Sequence, residues 1–354
     1  MDKICFVTGG AGFIGCALSA SLANRYSKVI AIDNMHPQIH SSSERPELLH
    51  PSVELVVADI TIPETWNKLL STYTPNVIYH LAAETGTGQS LMESSRHAEV
   101  NILGTTRMLD ALSAHGKLPD RIILTSSRAV YGEGGWVDPK GGISYPGQRT
   151  NDMLTNSQWD FPGLSAAPFN ASQTLTYPTS IYGATKLSQE QLISCWANAY
   201  GVKTGILRLQ NVYGVGQSLT NPYTGIVSFF SQMAKSKQSI PLYEDGEVVR
   251  DFVYISDVAN ALILAADSEE RSFIYDVGSG KSITIHELAS IISKRYDAPA
   301  PHICGKFRNG DVRYASCDIQ DTVNALNWNP AVTVESGIEK LCAWIDSSEV
   351  RMTF

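Results

Sequence analysis

The chain has 354 residues, 43% of them hydrophobic and 18% charged, and a formal net charge of −8. That length allows one large or two moderate domains with a substantial core. The acidic balance argues against a general nucleic-acid surface, no apolar run reaches the roughly 18 residues of a membrane span, and no signal peptide or lipidation motif is expected.

Residues 4–7, Ile-Cys-Phe-Val, form a short continuous apolar run of the kind a buried parallel strand needs. The run leads directly into Thr8-Gly9-Gly10-Ala11-Gly12-Phe13-Ile14-Gly15, and Leu18 and Leu22 then recur at helical spacing. Strand, glycine turn and helix form the context of a dinucleotide-binding fingerprint. Gly9 suits the turn, Gly12 the approach of backbone to a pyrophosphate, and Gly15 the close packing of helix on strand. A second strand, 29–32, ends at Asp33, 18 residues beyond Gly15. The dinucleotide pattern places its ribose-binding carboxylate at about 20 residues. With no Arg or Lys immediately after Asp33, the expected cofactor is NAD rather than NADP.

Further strands are expected at 53–58, ending in Asp59-Ile60, and at 77–81, ending in His80-Leu81-Ala82-Ala83. A helix opens at Pro63 and runs to about 73. His80 has no partner at metal spacing and is expected to be a hydrogen-bonded structural residue. The segment 90–114 reads as one helical stretch containing Asn101. The strand 122–124 leads into Thr125-Ser126-Ser127, where Ser127 is a candidate partner for a reacting hydroxyl or a simple strand-end cap. Strands alternating with helices imply a doubly wound parallel sheet.

From 132 to 179 the periodicity dissolves into Gly, Pro, Ser and Asn with scattered aromatics, among them Trp136, Tyr145, Trp159, Phe161 and Phe169. A stretch this long is either a lid over a site or an excursion packed on a neighbouring lobe. Tyr182-Gly183-Ala184-Thr185-Lys186 opens the next helix, expected to run to about 200. Residues four apart share a helix face, so a cation at Lys186 can favour the phenolate of Tyr182 and lower its pKa. Such a phenolate can take a proton from a substrate hydroxyl. Taken alone, the spacing better suits an ordinary amphipathic helix whose Tyr packs and whose Lys is solvated.

The remaining chain offers a strand at 202–209 followed by Asn211 and a polar, turn-rich stretch from 217 to 223. Helices are expected at 226–233, 258–266, 284–296 (capped by Thr284) and 334–345, with another strand at 273–277. The six cysteines contain no C-x-x-C, so no metal site is expected, and they read as reduced thiols of a cytoplasmic protein.

Five motifs in order, TGGAGFIG, the HLAA strand end, SSRAVYG, YGATK and VRDFVYISDVANAL, resemble the extended short-chain dehydrogenases/reductases. Within them the chain is most similar to the NAD-dependent sugar-nucleotide epimerase/dehydratase family. The resemblance covers residues 4 to about 345. It implies a Rossmann-type α/β fold, with an NAD-binding domain from 1–211 and 253–281 that carries the insertion 132–179. A smaller α/β substrate-binding lobe would come from 212–252 and 282–354. It also implies that Gly9, Gly12, Phe13, Ile14, Gly15, Asp33 and Asn34 hold the pyrophosphate and adenosine ribose. Asp59 and Ile60 would flank the adenine, and Leu81, Ala82, Ala83 and Asn101 would line or support the cofactor. By the same resemblance Ser127, Tyr182 and Lys186 are catalytic, and Thr85, Ser127, Arg128, Asn211, Arg250 and Arg308 contact a nucleotide-diphospho-sugar. A homodimer paired through the helices after Tyr182 and around Asn101 is implied as well, with Leu103, Leu109, Leu187, Leu192 and Trp196 as candidate contacts.

Departures narrow the activity. The 4,6-dehydratases carry an acidic pair where this chain has Arg128 and Ala129, and many 4-epimerases carry a Lys where it has Thr85. The interval from Tyr131 to Tyr182 exceeds that of UDP-galactose 4-epimerases. Stretches 84–89, 126–131 and 217–225 resemble a branch described as dTDP-L-rhamnose 4-epimerases. The implied reaction is therefore 4-epimerisation of dTDP-L-rhamnose or a UDP-hexose by transient oxidation at C4. A reductase, an epimerase acting at another carbon, or a non-catalytic NAD-binding regulator stays open.

Overall fold

The structure, a computed structural model, describes residues 3–40, 42–219 and 225–347. Part of the 217–225 motif, residues 220–224, lies outside the described residues.

All seven expected core strands form and assemble into one parallel sheet. Its order is Ser272–Val277, Lys203–Leu209, Arg121–Ser127, Val77–His80, Ile4–Thr8, Lys28–Asp33, Glu54–Val57. The strand Ile4–Thr8 lies centrally, pairing Cys5 with Val29 on one side and with Val77 on the other. The chain first winds outward to Glu54–Val57 and then returns past its start to Val77–His80. A topological switch point therefore falls between the strands Ile4–Thr8 and Val77–His80, and ligands of open α/β sheets bind at such points. Thr8, Asp33, His80 and Ser127 end their strands along this one carboxyl edge.

Alternation along each strand builds the two layers. Cys5 and Val7 face a core with Leu18 and Leu22 of the helix Phe13–Arg25 and with Val258 and Leu262. Phe6, between them, faces the opposite core of Trp66, Leu69, Met108 and Leu112. Burial on both faces explains why the strands read as unbroken apolar runs. A third core joins Tyr213, Phe230, Phe252, Leu288, Ile338 and Leu341. Here the helices Ile226–Lys235, Ile285–Arg295 and Val334–Ser347 cover the short strands Asn211–Tyr213 and Val249–Tyr254. Thr284 caps Ile285–Arg295 as expected, in a reciprocal pairing with Glu287.

Two segments differ from their expected form. The single helical stretch at 90–114 is four pieces: Thr87–Met92, Ser94–Ala98, a π-helical turn at Glu99–Leu103, and Gly104–Ala114. The wide turn rotates Asn101 inward, and Gly104 beyond it admits Ile60, whose Cδ1 would lie 2.7 Å from an added Cβ. The insertion is also more ordered than its composition suggested. It forms a three-stranded sheet of Ile143–Ser144, Trp136–Val137 and Ser165–Ala166, and the helix Asn151–Thr155, capped by Thr150. Trp136 and Phe161 meet edge to face at 4.8 Å, and Phe169 stacks on Tyr131 at 4.6 Å. Phe169 also exchanges backbone hydrogen bonds with Ser316 and Asp318, each 2.8 Å. Among the described residues no helix is long and apolar enough to cross a membrane.

Candidate active site

The cradle at the switch point is shaped by what its glycines leave out. Gly9 has φ +66°, and a Cβ there would fall 2.8 Å from the Ala82 amide nitrogen. A Cβ on Gly15 would lie 2.5 Å from the Gly10 carbonyl oxygen, so the helix rests directly on the turn. Gly12 caps the helix Phe13–Arg25, which has no side-chain cap and no acid in its first turn. Its first amide groups, at Phe13, Ile14 and Gly15, present the positive end of the helix dipole to the crevice. These features fit a dinucleotide pyrophosphate.

Asp33 ends the neighbouring strand, its carboxylate accepting from Ala11 N (3.1 Å) and Met35 N (2.9 Å), with His40 Nε2 at 3.3 Å. His40 was not foreseen, because no spacing rule brings a loop histidine back to a strand end. Asn34 donates to Asp59 at 3.1 Å. Burial raises the Asp59 pKa, but hydrogen bonds from Thr61 and Asn34 outweigh it and hold the carboxyl below its ordinary value. Ile60 is buried beside it, its carbonyl accepting from Trp66 Nε1 at 2.8 Å. Thr8 Oγ1 accepts from the amides of Leu81 and Ala82, both at 3.2 Å. His80 is fully buried between Thr8 Oγ1 (2.8 Å) and Thr105 Oγ1 (2.9 Å). Burial, reinforced by the Lys186 charge, pushes its pKa down to about 3, so it is the neutral structural histidine expected. Beyond Ala83, Asn101 brackets the Glu84 backbone, and Arg96 forks the Glu84 carboxylate at 2.9 Å to each oxygen. The Thr85 carbonyl that follows lies 3.4 Å from His97 Nε2.

Ser127 caps the 3₁₀ turn Arg128–Tyr131, its Oγ accepting from Ala129 N at 3.1 Å. Tyr182 opens the helix Ile181–Tyr200, which Ser180 caps and Gly201 ends in the left-handed conformation. A Cβ on Gly183 would lie 2.4 Å from the Ala129 carbonyl oxygen, so the helix that carries Tyr182 rests directly on the turn that Ser127 caps. Burial raises the phenol pKa, with neighbouring Ser127 and the Arg128 charge acting against it. Lys186 is only 3% exposed and donates to Gln189 Oε1 at 2.7 Å. Burial brings its own pKa down to about 7 against the opposing charge of Glu190. The Arg128 charge acts on the phenol from the turn that Ser127 caps.

Arg128 Nε donates to Asn211 Oδ1 at 2.9 Å, and Arg250 donates to the Val249 carbonyl at 2.8 Å. The two guanidiniums lie close enough to repel. Burial, then Arg250, brings Arg128 down to about 9. Burial also lowers Arg250, with Asp311, Glu133 and Glu244 acting against it. The ion pairs of the region are made instead by Arg149 and Arg313. Arg308 is not brought into this cluster: it is exposed, with its guanidinium 5.1 Å from the centre of the Tyr243 ring. The sequence reading missed Glu133, Arg149, Glu244 and Arg313, which come from segments without periodicity.

A sequence profile described as the NAD dependent epimerase/dehydratase family matches residues 5–152 and 160–278. The chain belongs to that family. It is 54% identical over 345 residues to a dTDP-L-rhamnose 4-epimerase of Burkholderia thailandensis, covering 97% of this chain and 95% of that one. It is 29% identical to a putative UDP-glucose 4-epimerase of Methanocaldococcus jannaschii, covering 97% and 98%. Among solved structures it is similar to the UDP-glucose 4-epimerase of Thermotoga maritima with UDP-glucose, at a TM-score of 0.80 and 27% identity over 97% and 99% of the two chains. The Thermus thermophilus UDP-glucose 4-epimerase complex with NAD matches at a TM-score of 0.77 and 25% identity over 98% and 100%. The chain is thus an enzyme of the epimerase family with a Rossmann-type fold, and its cofactor is NAD, as the motifs implied.

Proposed function

We propose that the protein inverts C4 of a nucleotide-diphospho-sugar, with dTDP-L-rhamnose as the preferred substrate class and a UDP-hexose as the alternative. The observation that carries this reading is the close seating of the Tyr182 helix on the Ser127 turn at the carboxyl edge of the sheet that also holds the glycine cradle, with Arg128 bonded to Asn211 from the same turn. The similarity to the Burkholderia thailandensis enzyme supports the choice of sugar and nucleotide.

In this reading Gly9, Gly12, Phe13, Ile14 and Gly15 hold the pyrophosphate of NAD and Asp33 with Asn34 its adenosine ribose. Asp59 and Ile60 flank the adenine. Leu81, Ala82, Ala83 and Lys186 line the nicotinamide side, with Asn101 bracing the Glu84 turn. When bound, NAD would supply reversible hydride transfer at C4 of the sugar and would not be consumed. Tyr182 accepts the proton of the 4-hydroxyl and gives it back, and Ser127 orients that hydroxyl. Lys186 supplies positive charge on the same helix face. Arg128 and Arg250 grip the diphosphate as planar donor forks, Asn211 orients Arg128, and Thr85 borders the sugar. Arg308 completes the substrate set from the rim.

Residues 1–211 with 253–281 act as the NAD-binding unit, and 212–252 with 282–354 as the substrate lobe. The protein works as a cytoplasmic homodimer. Leu91, Met92 and Leu103 are exposed beside Asn101 and support pairing there, whereas Leu109 is buried and Trp196 partly buried on the chain's own core. Sedimentation at micromolar concentration tests the dimer. The reaction is tested by incubating the purified protein with dTDP-L-rhamnose, UDP-glucose, and GDP- and CDP-sugars and scoring products by NMR. Isomerisation at C4 without consumption of added NADH is the expected result. Net reduction, or inversion at another carbon, overturns it.

A further inference from the structure

We propose that Arg149 is a positioning residue that makes the insertion a fixed wall of the substrate site and keeps neighbouring carboxylates from closing on Arg128 and Arg250. The inference rests on reading those two arginines as the diphosphate grip.

Arg149 lies in the insertion with its side chain 1% exposed. All five of its N–H donors are used. Nε donates to Glu133 Oε1 at 3.2 Å. Nη1 donates to the Trp159 carbonyl at 3.1 Å and to Glu244 Oε2 at 2.8 Å. Nη2 donates to Glu244 Oε1 and to the Asp311 carbonyl, both at 2.9 Å. One planar fork therefore ties the insertion to two separate segments of the chain. The second Glu133 oxygen accepts from Arg313 N at 2.8 Å, and Arg313 in turn pairs with Asp160, Glu244 and Asp245.

The segment that Arg149 and Glu133 hold runs beside Arg250: Val249 N donates to the Arg313 carbonyl at 3.0 Å, and Arg250 pairs in register with Ala315. Glu133, Glu244 and Asp311 all act on the Arg250 charge, and Glu133 and Asp311 also act on Arg128. They lie near enough to favour the charged arginines, yet the two glutamates are bonded to Arg149. Without Arg149, Glu244 would keep its pairing with Arg313, whereas Glu133 would keep only the Arg313 amide. Its freed oxygen could then turn to Arg250 or Arg128, on whose charges it already acts, and occupy donors that a diphosphate needs. Lysine cannot replace the clamp, because an ammonium has three donors and no planar fork.

The test is calorimetric titration of the NAD-loaded protein with dTDP and with UDP. The wild type is expected to bind at least one of them. Arg149→Lys is expected to weaken that binding by about tenfold or more, the scale of one lost charge-assisted hydrogen bond. Bound NAD should be unchanged. KM for the sugar nucleotide should rise more than kcat falls. If Arg149→Lys does not fold, the charge-balanced pair Arg149→Gln with Glu244→Gln is read in the same way. A folded variant that binds the nucleoside diphosphate as tightly as the wild type, with only its melting temperature lowered, overturns the proposal and leaves Arg149 a structural residue. Failure of the wild type to bind either nucleotide overturns the reading of Arg128 and Arg250 instead.

Discussion

Asn101 grips Glu84 by both edges of its backbone: Oδ1 accepts from Glu84 N at 2.8 Å and Nδ2 donates to Glu84 O at 3.0 Å. The second Nδ2 hydrogen reaches Thr185 Oγ1 at 2.9 Å, on the helix of Tyr182. The π-helical turn at Glu99–Leu103 carries this fully buried residue inward, and such turns concentrate at functional sites. One amide thus holds the turn after the fourth strand against the helix that carries Tyr182.

Replacing it exposes the cost of that arrangement. Asn101→Ala leaves the Glu84 amide and carbonyl without their partner in a buried setting. An unsatisfied buried group costs about 1–3 kcal/mol. Urea denaturation should show a loss on that scale, and retention of NAD through gel filtration should fall with it. Unchanged stability and unchanged NAD content would mean that water replaces the amide at no cost.

Tyr182→Phe removes the proposed proton acceptor and keeps the ring. A positioned acid or base contributes about 10²–10⁴ in rate, so kcat should fall by that factor while NAD stays bound. Full activity in this variant would remove Tyr182 from the chemistry.

Gly183 tests the contact that brings Tyr182 to Ser127. Its missing Cβ would lie 2.4 Å from the Ala129 carbonyl oxygen, a backbone atom that cannot swing aside. Gly183→Ala should cost about 1–3 kcal/mol of stability through overpacking. It should also lower kcat, because relief of the clash moves the helix away from the Ser127 turn. Wild-type stability in Gly183→Ala would show that the two elements are free to separate.

The elements that place these residues were legible for identifiable reasons. Runs such as Ile4–Thr8 and Val77–His80 are buried on both faces, so composition alone announces them. Gly9, Gly12 and Gly15 mark positions where a side chain cannot fit, and they stand close together in sequence. What escaped was made by contacts between distant segments. Arg149 and Glu244 are 95 residues apart, and Arg313 and Asp160 are 153 apart. Neither pair has a periodic neighbourhood to mark it. The break at Asn101 escaped because a π turn leaves the apolar pattern of a helix almost intact. The surroundings of the Tyr182 phenol were legible only in part, because helix spacing points to Lys186 but cannot show that Arg128 arrives from a different strand end.

Behind the site lies a buried network whose protonation gives a further test. The Tyr131 hydroxyl donates to the Asp276 carboxyl, 2.9 Å from each oxygen, and Arg208 Nη1 donates to the Tyr131 oxygen at 3.0 Å. Arg208 also pairs with Glu190, which accepts from Ser126 Oγ. Burial raises the Asp276 pKa from 3.8 to about 7, against the hydrogen bonds of Tyr131 and the Ala171 amide and the charge of Arg208, while the charge of Glu190 raises it further. Between pH 4 and 7 the folded state therefore holds a proton on Asp276 that the unfolded chain has released. Its contribution to stability is fully present below the unfolded pKa and is lost as pH rises through about 7. His80 runs the other way. With its pKa lowered to about 3, its neutral form costs stability as pH falls from 6.5. The wild-type pH profile mixes the two, so the difference between wild type and Asp276→Asn is the informative quantity. Asparagine cannot ionise, and the change in its hydrogen bonding adds an offset independent of pH. Urea denaturation at pH 5 and pH 7.5 should show Asp276→Asn gaining stability relative to the wild type as pH rises. An equal difference at both values would mean that Asp276 is ionised across the whole range, held so by Arg208 and the Tyr131 hydroxyl.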